Sequence, residues 1–164
     1  LDEQISLKKQ LQHGNCYMLH DPLYEEAVAF LEGNKSNGRF ICSNLLSSDE
    51  EIVRYIKEKT KQKNAFVAID APLVVPNNSG RRLAEMLVGD LFRKYDAGAH
   101  PANRNHLSTW SGKVRGEEII KLFEKHGFEH SPYVRRFENS KKVFEVYPHP
   151  AMVVLFNLDK IIRY

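Results

Sequence analysis

Three acidic side chains lie where predicted strands end or are interrupted. Asp21 follows the first strand, Asp70 follows the fourth, and Glu145 lies within the fifth. Functional sites in α/β proteins form where the carboxyl ends of neighbouring strands meet. If strands one and four are adjacent, Asp21 and Asp70 stand about 5 Å apart. Two carboxylates this close repel each other, and Mg²⁺ or Mn²⁺ relieves the repulsion. Two such ions, about 4 Å apart, can promote hydrolysis of a phosphodiester, because one activates a water molecule and the other stabilises the leaving oxygen.

Each acid also has a structural interpretation. Asp70 precedes Pro72 and Asp21 precedes Pro22, so both fit ordinary turn caps. Glu145 lies in Val-Phe-Glu-Val-Tyr, where burying a charge costs free energy unless the charge is paired or points into a site. His149 follows closely in the sequence and could orient a substrate or cap the surface. The residues alone therefore favour a site most clearly at Glu145.

Other chemistries find little support in the sequence. The seven histidines form no HExxH pair, and no cysteine lies at a strand-to-helix elbow. The sequence contains neither GxxxxGK[ST] nor GxGxxG. Cys16 and Cys42 match no metal spacing, and we interpret them as buried free thiols.

The net charge of +3 is small, but the positive charge is concentrated. Residues 79–115 contain seven basic and three acidic side chains, a net +4. This excess fits a surface that contacts phosphate, and it fits equally a solvated helix face beside a basic loop.

The elements that must position these residues follow from the hydrophobic pattern. Apolar runs predict strands at 16–20, 27–31, 39–46, 65–69 and 142–147. Ser48 opens a capping box before one helix, and Ser79 is a candidate cap for a second helix. Two further helices are predicted at 114–126 and 151–158, with a loop at 96–112. This order predicts an α/β fold in which a five-stranded mixed sheet, an antiparallel meander followed by parallel strands, is flanked by helices, as in ribonuclease H-like proteins.

Size and composition agree with one folded domain. The 164 residues are 42% hydrophobic and 27% charged, which is typical of a globular protein, and we interpret 1–164 as a single domain. No apolar run approaches the roughly 18 residues that cross a bilayer, and the first residues lack a signal-peptide pattern. We expect a cytoplasmic protein that does not enter a membrane.

Several segments together resemble the family called domain of unknown function 429, whose members are predicted nucleases with a ribonuclease H-like fold. The segments are Ala68-Ile69-Asp70-Ala71-Pro72-Leu73, Pro76, Ser79-Gly80-Arg81-Arg82, His100-Pro101-Ala102-Asn103-Arg104 and Phe144-Glu145-Val146-Tyr147-Pro148. The resemblance implies that Asp70 and Glu145 are the strand-end acids of the family. It also implies that Arg81, Arg82 and Arg104 belong to its basic loop.

Two departures from the family pattern affect the assignment of these family roles to residues of this sequence. The first strand of the family carries Gly-hydrophobic-Asp-Gly, whereas Leu19-His20-Asp21-Pro22 stands here, so topology alone matches Asp21. Family members also continue into a C-terminal helix with a further acid, while this sequence stops at Tyr164. The resemblance therefore implies either a fragment or a degenerate member.

These observations lead to a metal-dependent nuclease as the expected function. Asp70, Glu145 and Asp21 would hold Mg²⁺ or Mn²⁺, while Arg81, Arg82 and Arg104 contact the nucleic-acid backbone. The alternative is a catalytically silent module of the same fold that binds nucleic acid or protein. A phosphotransferase or ATPase is a third reading by analogy, and the missing glycine-rich loop counts against it.

Overall fold

A computed structural model describes residues 26–33, 37–61, 64–109, 111–135 and 138–161. The predicted strand 16–20, Asp21 and Cys16 lie outside these residues. Cys42 is a free thiol, as predicted, but it is only half-buried, and its sulfur lies 3.3 Å from the Tyr55 hydroxyl. No helix in the described part of the chain is long and apolar enough to cross a membrane.

The first two described strands form an antiparallel hairpin, which confirms the antiparallel pairing predicted for the strands at 27–31 and 39–46. Strand β1 (Glu26–Gly33) pairs with β2 (Gly38–Leu46), with an irregularity in register between Phe30 and Leu31. Burial alternates along β1, so one face of the hairpin turns toward the protein. Val28 packs from this face against the main core, and Leu46 is buried within it.

A second, separate sheet is parallel. It contains β3 (Ala65–Ile69), β4 (Glu129–His130) and β5 (Lys141–Glu145) in the order β3-β5-β4. The prediction of one five-stranded mixed sheet with ribonuclease H-like order is therefore wrong, although the α/β class is right. That prediction assumed that the meander continues into the helix-linked strands. Instead, the described strands of the hairpin pair only with each other, and β5 pairs with β4, which is too short to produce a periodic signal.

Helices α1 (Asp49–Thr60) and α4 (Arg115–Lys125) help to form the main core with the parallel sheet. The largest fully buried side chains among the described residues are Phe123, Leu73, Val53, Val75 and Val143, and all of them except Val75 belong to this core. Ser48 accepts a hydrogen bond from the Glu51 amide, which confirms the predicted cap. Arg115 links three elements, because its guanidinium bonds Glu26 of β1 and Asp49 of α1.

Three further helices surround the ends of the strands. They are α2 (Leu83–Phe92), the four-residue α3 (Arg104–Leu107) and α5 (Pro148–Phe156), and a 3₁₀ turn (Arg93–Tyr95) follows α2. Helix α2 begins later than the Ser79 cap predicted, since Gly80 has a φ of 74° and Arg82 is the N-cap. Four of its apolar residues, Leu83, Met86, Leu87 and Leu91, are between 50% and 70% exposed and do not enter a core. Only its last residue, Phe92, packs against a small core of Ala97, Val153 and Ile161.

Helix α4 approaches the segment after β3 very closely. A Cβ on Gly116, in the first turn of α4, would lie 2.0 Å from the carbonyl oxygen of Pro72. No other residue fits there without displacing the backbone. The chain that follows Asp70 is thus supported from behind by α4.

Strand β5 contains a buried ammonium group that the apolar strand pattern did not predict. The Lys142 side chain is 9% exposed, and its Nζ lies 2.8 Å from Glu138 Oε1. Glu138 also accepts hydrogen bonds from Ser140 and from the Arg135 amide. The bond from Lys142, together with these two, lowers the pKa of Glu138 to about 2.

This carboxylate makes folding sensitive to acid. Because the pKa of Glu138 falls from 4.5 in the unfolded chain to about 2 in the folded one, its contribution is complete above the higher value. The contribution is lost as the pH falls from the higher value to the lower. We expect Glu138→Gln to flatten the loss of unfolding free energy in this window, as measured by urea denaturation. Glu124→Gln, at an exposed residue of α4, is the control. The same slope in wild type and Glu138→Gln would contradict the assignment.

Candidate functional site

A cavity of about 470 Å³ opens at the carboxyl ends of β3 and β5. The two strands are parallel neighbours, and Ile69 pairs with Glu145, so the residues that follow both strands reach the same edge. Helix α2 and the segment 99–107 complete the walls. The polar side chains that line the cavity are Asp70, Arg82, Glu85, His100, His106, Glu145 and Tyr147.

Two of the three predicted acids meet in this cavity. Asp70 is accessible to solvent and has no hydrogen bond or ion pair in the part of the chain that the structure describes. Desolvation by the surrounding protein raises the pKa of Asp70, and the Glu145 charge raises it further, while His149 acts in the opposite direction. Asp21, the third predicted acid, lies outside the described residues.

Glu145 is in a different environment from Asp70. Both of its oxygens accept from Arg82, at 2.8 Å from Nη1 and 2.6 Å from Nη2. The Leu73 amide donates a third hydrogen bond at 3.0 Å. The two parallel hydrogen bonds from the Arg82 guanidinium neutralise the Glu145 carboxylate and fix its orientation.

The same guanidinium also binds Glu85 of α2. Arg82 Nε donates to Glu85 Oε1 at 2.6 Å, and Nη1 also donates to the carbonyl of Val74 at 3.0 Å. The side chains of Arg82 and Glu85 are only 13% and 4% exposed. Burial disfavours the charge on Arg82, but its bonds to Glu145 and Glu85 outweigh this effect and raise its pKa. We interpret Arg82 as a residue that positions the cavity walls.

The other two predicted arginines lie outside this network. Arg104 is 43% exposed and bonds Glu117 at 2.6 Å, and the same Glu117 oxygen accepts from the Val75 amide. Arg81 is exposed and makes no ion pair with any residue that the structure describes. Of the three, Arg81 therefore presents the most accessible guanidinium.

The sequence analysis missed several residues of the cavity. Glu85 accepts from the amides of Arg82 and Ala102, so it joins the start of α2 to the 99–107 wall. A Glu three residues after the N-cap commonly accepts from the N-cap amide, and this spacing could have indicated it. The Tyr147 hydroxyl donates to the carbonyl of Gly98 at 3.1 Å and lies 3.3 Å from His149 Nδ1.

A second opening, of about 450 Å³, adjoins the first. It is lined by Pro101, Asn103, Asn105 and His106. Pro101 and His106 also line the cavity that contains Asp70. A ligand longer than the first cavity could therefore continue along the segment 101–106.

The described residues fit the expected metal only in part. Mg²⁺ and Mn²⁺ prefer carboxylate oxygens, and Asp70 offers one such group. Glu145 was predicted as the second ligand, but Arg82 and Leu73 engage its oxygens. No group of three or more His, Cys, Asp or Glu side chains that could hold a metal occurs among the described residues. The set fits an ion held by Asp70, with water and substrate phosphate as its other ligands.

We expect Arg82→Gln to destabilise the fold strongly, because it leaves Glu85 and Glu145 without their cation. The free energy of unfolding should fall by about 3–5 kcal/mol in denaturant titrations. Arg81→Gln, which changes an exposed arginine next in sequence, should alter it by no more than about 0.5 kcal/mol. Equal losses in the two variants would contradict a structural role for the Arg82 network.

Comparison with known proteins identifies a family but not an activity. No curated protein and no solved structure matches the chain. One family matches residues 23–164, a range that includes both Asp70 and Glu145. The nuclease activity expected from the resemblance stays a prediction. Because the match covers most of the sequence, the chain belongs to the family described as Protein of unknown function (DUF429).

Proposed function

We propose that this protein is a hydrolase that cleaves phosphodiester bonds of nucleic acid, with Asp70 as the reacting carboxylate. The observation that carries the proposal is the distribution of charge in the cavity. Three carboxylates of the described residues line it, and Arg82 forms ion pairs with two of them, Glu85 and Glu145. Asp70 remains without a cationic partner within hydrogen-bond distance in the described structure. Carboxylates held in contrasting environments commonly divide the tasks of a catalytic site.

The position of Asp70 suits this task. Its carboxylate makes no hydrogen bond or ion pair in the described structure, so its oxygens are available to coordinate an ion. Mg²⁺ or Mn²⁺ bound at Asp70 would lower the pKa of a coordinated water and offset the charge of the phosphate.

Glu145 acts on Asp70 as a positioning residue. Its Oε2 accepts from the Leu73 amide, which lies three residues after Asp70 in the same segment. Gly116 of α4 packs against Pro72 from the other side. The chain between Asp70 and Leu73 is therefore held between two elements, and this support orients the Asp70 carboxylate.

A phosphate-bearing substrate fits the size of the site and the cationic side chains around it. A volume of about 470 Å³ lies within the usual range for small-molecule sites and suits one nucleotide unit. Exposed cationic side chains at residues 81, 93 and 94 lie at the two ends of α2, whose middle forms a cavity wall. Cations near the cavity favour a polyanion. The adjoining opening gives the strand a path beyond the reacting phosphate.

A second candidate function is binding of nucleic acid without cleavage. The bond between Arg82 and Glu145 favours it, because among the described residues of the cavity it leaves only the Asp70 carboxylate free to hold a metal. The two functions make the same prediction for binding. They differ in whether a strand is cut when Mg²⁺ or Mn²⁺ is added.

The test is cleavage of labelled single- and double-stranded DNA and RNA by the intact chain with Mn²⁺ or Mg²⁺. We expect Asp70→Asn to lower the rate at least about 100-fold, because it removes the reacting carboxylate. Asp90→Asn, at an exposed residue of α2, should cleave like wild type. Asp90→Asn should unfold at the wild-type temperature and Asp70→Asn at the same temperature or higher, because Asp70→Asn removes a carboxylate whose charge burial disfavours. Cleavage by Asp70→Asn at the wild-type rate would overturn the proposal, and binding by wild type without cleavage would favour the second candidate.

A further inference from the structure

Two arginine side chains converge on one glycine of α2. A Cβ placed on Gly89 would lie 3.5 Å from Arg81 Nη1 and 3.8 Å from Arg93 Nη2. Arg81 precedes α2 and Arg93 follows it, so the two side chains come from opposite ends of the helix. Gly89 is buried although it has no side chain, in keeping with the two guanidinium groups beside it.

Neither guanidinium has an acidic partner in the described part of the chain. The ion pairs of the region join Arg82 to Glu85 and Glu145, and Lys160 to Asp96. Asp90 follows Gly89 and forms no ion pair with Arg81 or Arg93. The two positive charges repel each other. Arginine does not lose its proton at any ordinary pH, so deprotonation cannot relieve this repulsion. A bound anion would relieve it.

Backbone atoms of Gly89 lie beside both arginine side chains, and those of Gly98 lie beside Arg93. A Cβ on Gly98 would lie 3.7 Å from the Cα of Gly89 and 3.7 Å from the Cα of Arg93. Glycines at 89 and 98 thus let the two segments approach closely. The two guanidinium groups cover Gly89, and both arginines are exposed, so a ligand can reach them from the solvent side.

This pair of arginines adjoins the proposed catalytic cavity. Val88 and Ala99 line the cavity, and Gly89 and Gly98 are their immediate neighbours in sequence. Consecutive Cα atoms are only ~3.8 Å apart. Tyr147, another lining residue, donates its hydroxyl hydrogen to the Gly98 carbonyl. The same two backbone segments therefore border the Asp70 cavity and the arginine pair.

We propose that Arg81 and Arg93 together bind one phosphate group of the nucleic-acid strand, next to the phosphate that is cleaved at Asp70. This inference rests on the proposed function for the identity of the strand. A phosphate oxygen accepts hydrogen bonds of ~2.8 Å from a guanidinium, and a phosphate beside Gly89 can accept from both side chains. The contact is to backbone phosphate and adds affinity without reading base sequence.

The test measures binding of a fluorescent single-stranded 12-residue oligonucleotide to the full chain in EDTA, at several salt concentrations. We expect the double variant Arg81→Gln/Arg93→Gln to lower the slope of log K against log salt by about 0.7, the value for one phosphate contact. Arg54→Gln, an exposed arginine of α1, removes one charge elsewhere and should leave the slope unchanged. An unchanged slope in the double variant, or no binding by wild type, would overturn the inference.

A second variant tests the same site while keeping both arginines. Gly89→Glu places a carboxylate between the two guanidinium groups, and we expect it to weaken oligonucleotide binding as much as the double variant does. Thermal unfolding of each variant checks that the fold is retained. Wild-type affinity in a folded Gly89→Glu protein would overturn the inference.

Two further arms separate this inference from the proposed function and from a free ligand. Normal cleavage by the double variant, with an unchanged salt slope, would remove the arginine site and leave the role of Asp70 intact. Cleavage by Asp70→Asn at the wild-type rate, with a reduced slope in the double variant, would overturn the role of Asp70 and leave the arginine site intact. Inorganic phosphate that binds wild type but does not compete with the strand would assign the site to free phosphate and overturn the inference.

Discussion

The arrangement of the cavity depends on one cation, Arg82, which holds two carboxylates from different elements. Glu145 comes from the end of β5 and Glu85 from the first turn of α2, and one guanidinium binds both at 2.6 Å. Each carboxylate then fixes a backbone segment, since Glu145 accepts from the Leu73 amide and Glu85 from the Ala102 amide. The strand end, the helix and the opposite wall are joined through this group, so a change at Arg82 acts on all three.

Arg82 also determines which acid is free to react. A carboxylate that accepts two parallel hydrogen bonds from a guanidinium is neutralised and oriented, and it has little capacity left for a metal or a proton. Asp70 lies at the neighbouring strand end, is partly desolvated, and makes no such bond in the described structure. In the proposed function, the site thus combines one reacting carboxylate with two that build its walls. The same principle applies to the arginine pair beside Gly89. The described chain does not neutralise the charge of this pair, and the pair faces solvent.

Part of this account was predictable from the sequence. Asp70 and Glu145 could be singled out because acids beside apolar strands are conspicuous, and the Ser48 cap could be predicted because it is a local pattern. The partner of Glu145 was not predictable, since Arg82 is 63 residues away and contiguous arginines look alike in a basic loop. Strand pairing is equally non-local. The hairpin and the parallel sheet each matched their strand patterns, but no pattern shows that they are separate, and the two residues of β4 carry no periodic signal.

The most direct test of the account is a calorimetric titration of Mn²⁺ into the intact chain, run beside Asp70→Asn and Glu145→Gln. If Asp70 holds the ion and Glu145 only positions the segment after it, wild type binds Mn²⁺, Asp70→Asn does not, and Glu145→Gln binds it more weakly. Binding that survives in Asp70→Asn and disappears in Glu145→Gln would contradict the central claim, because it would make Glu145 the ligand despite its bonds to Arg82.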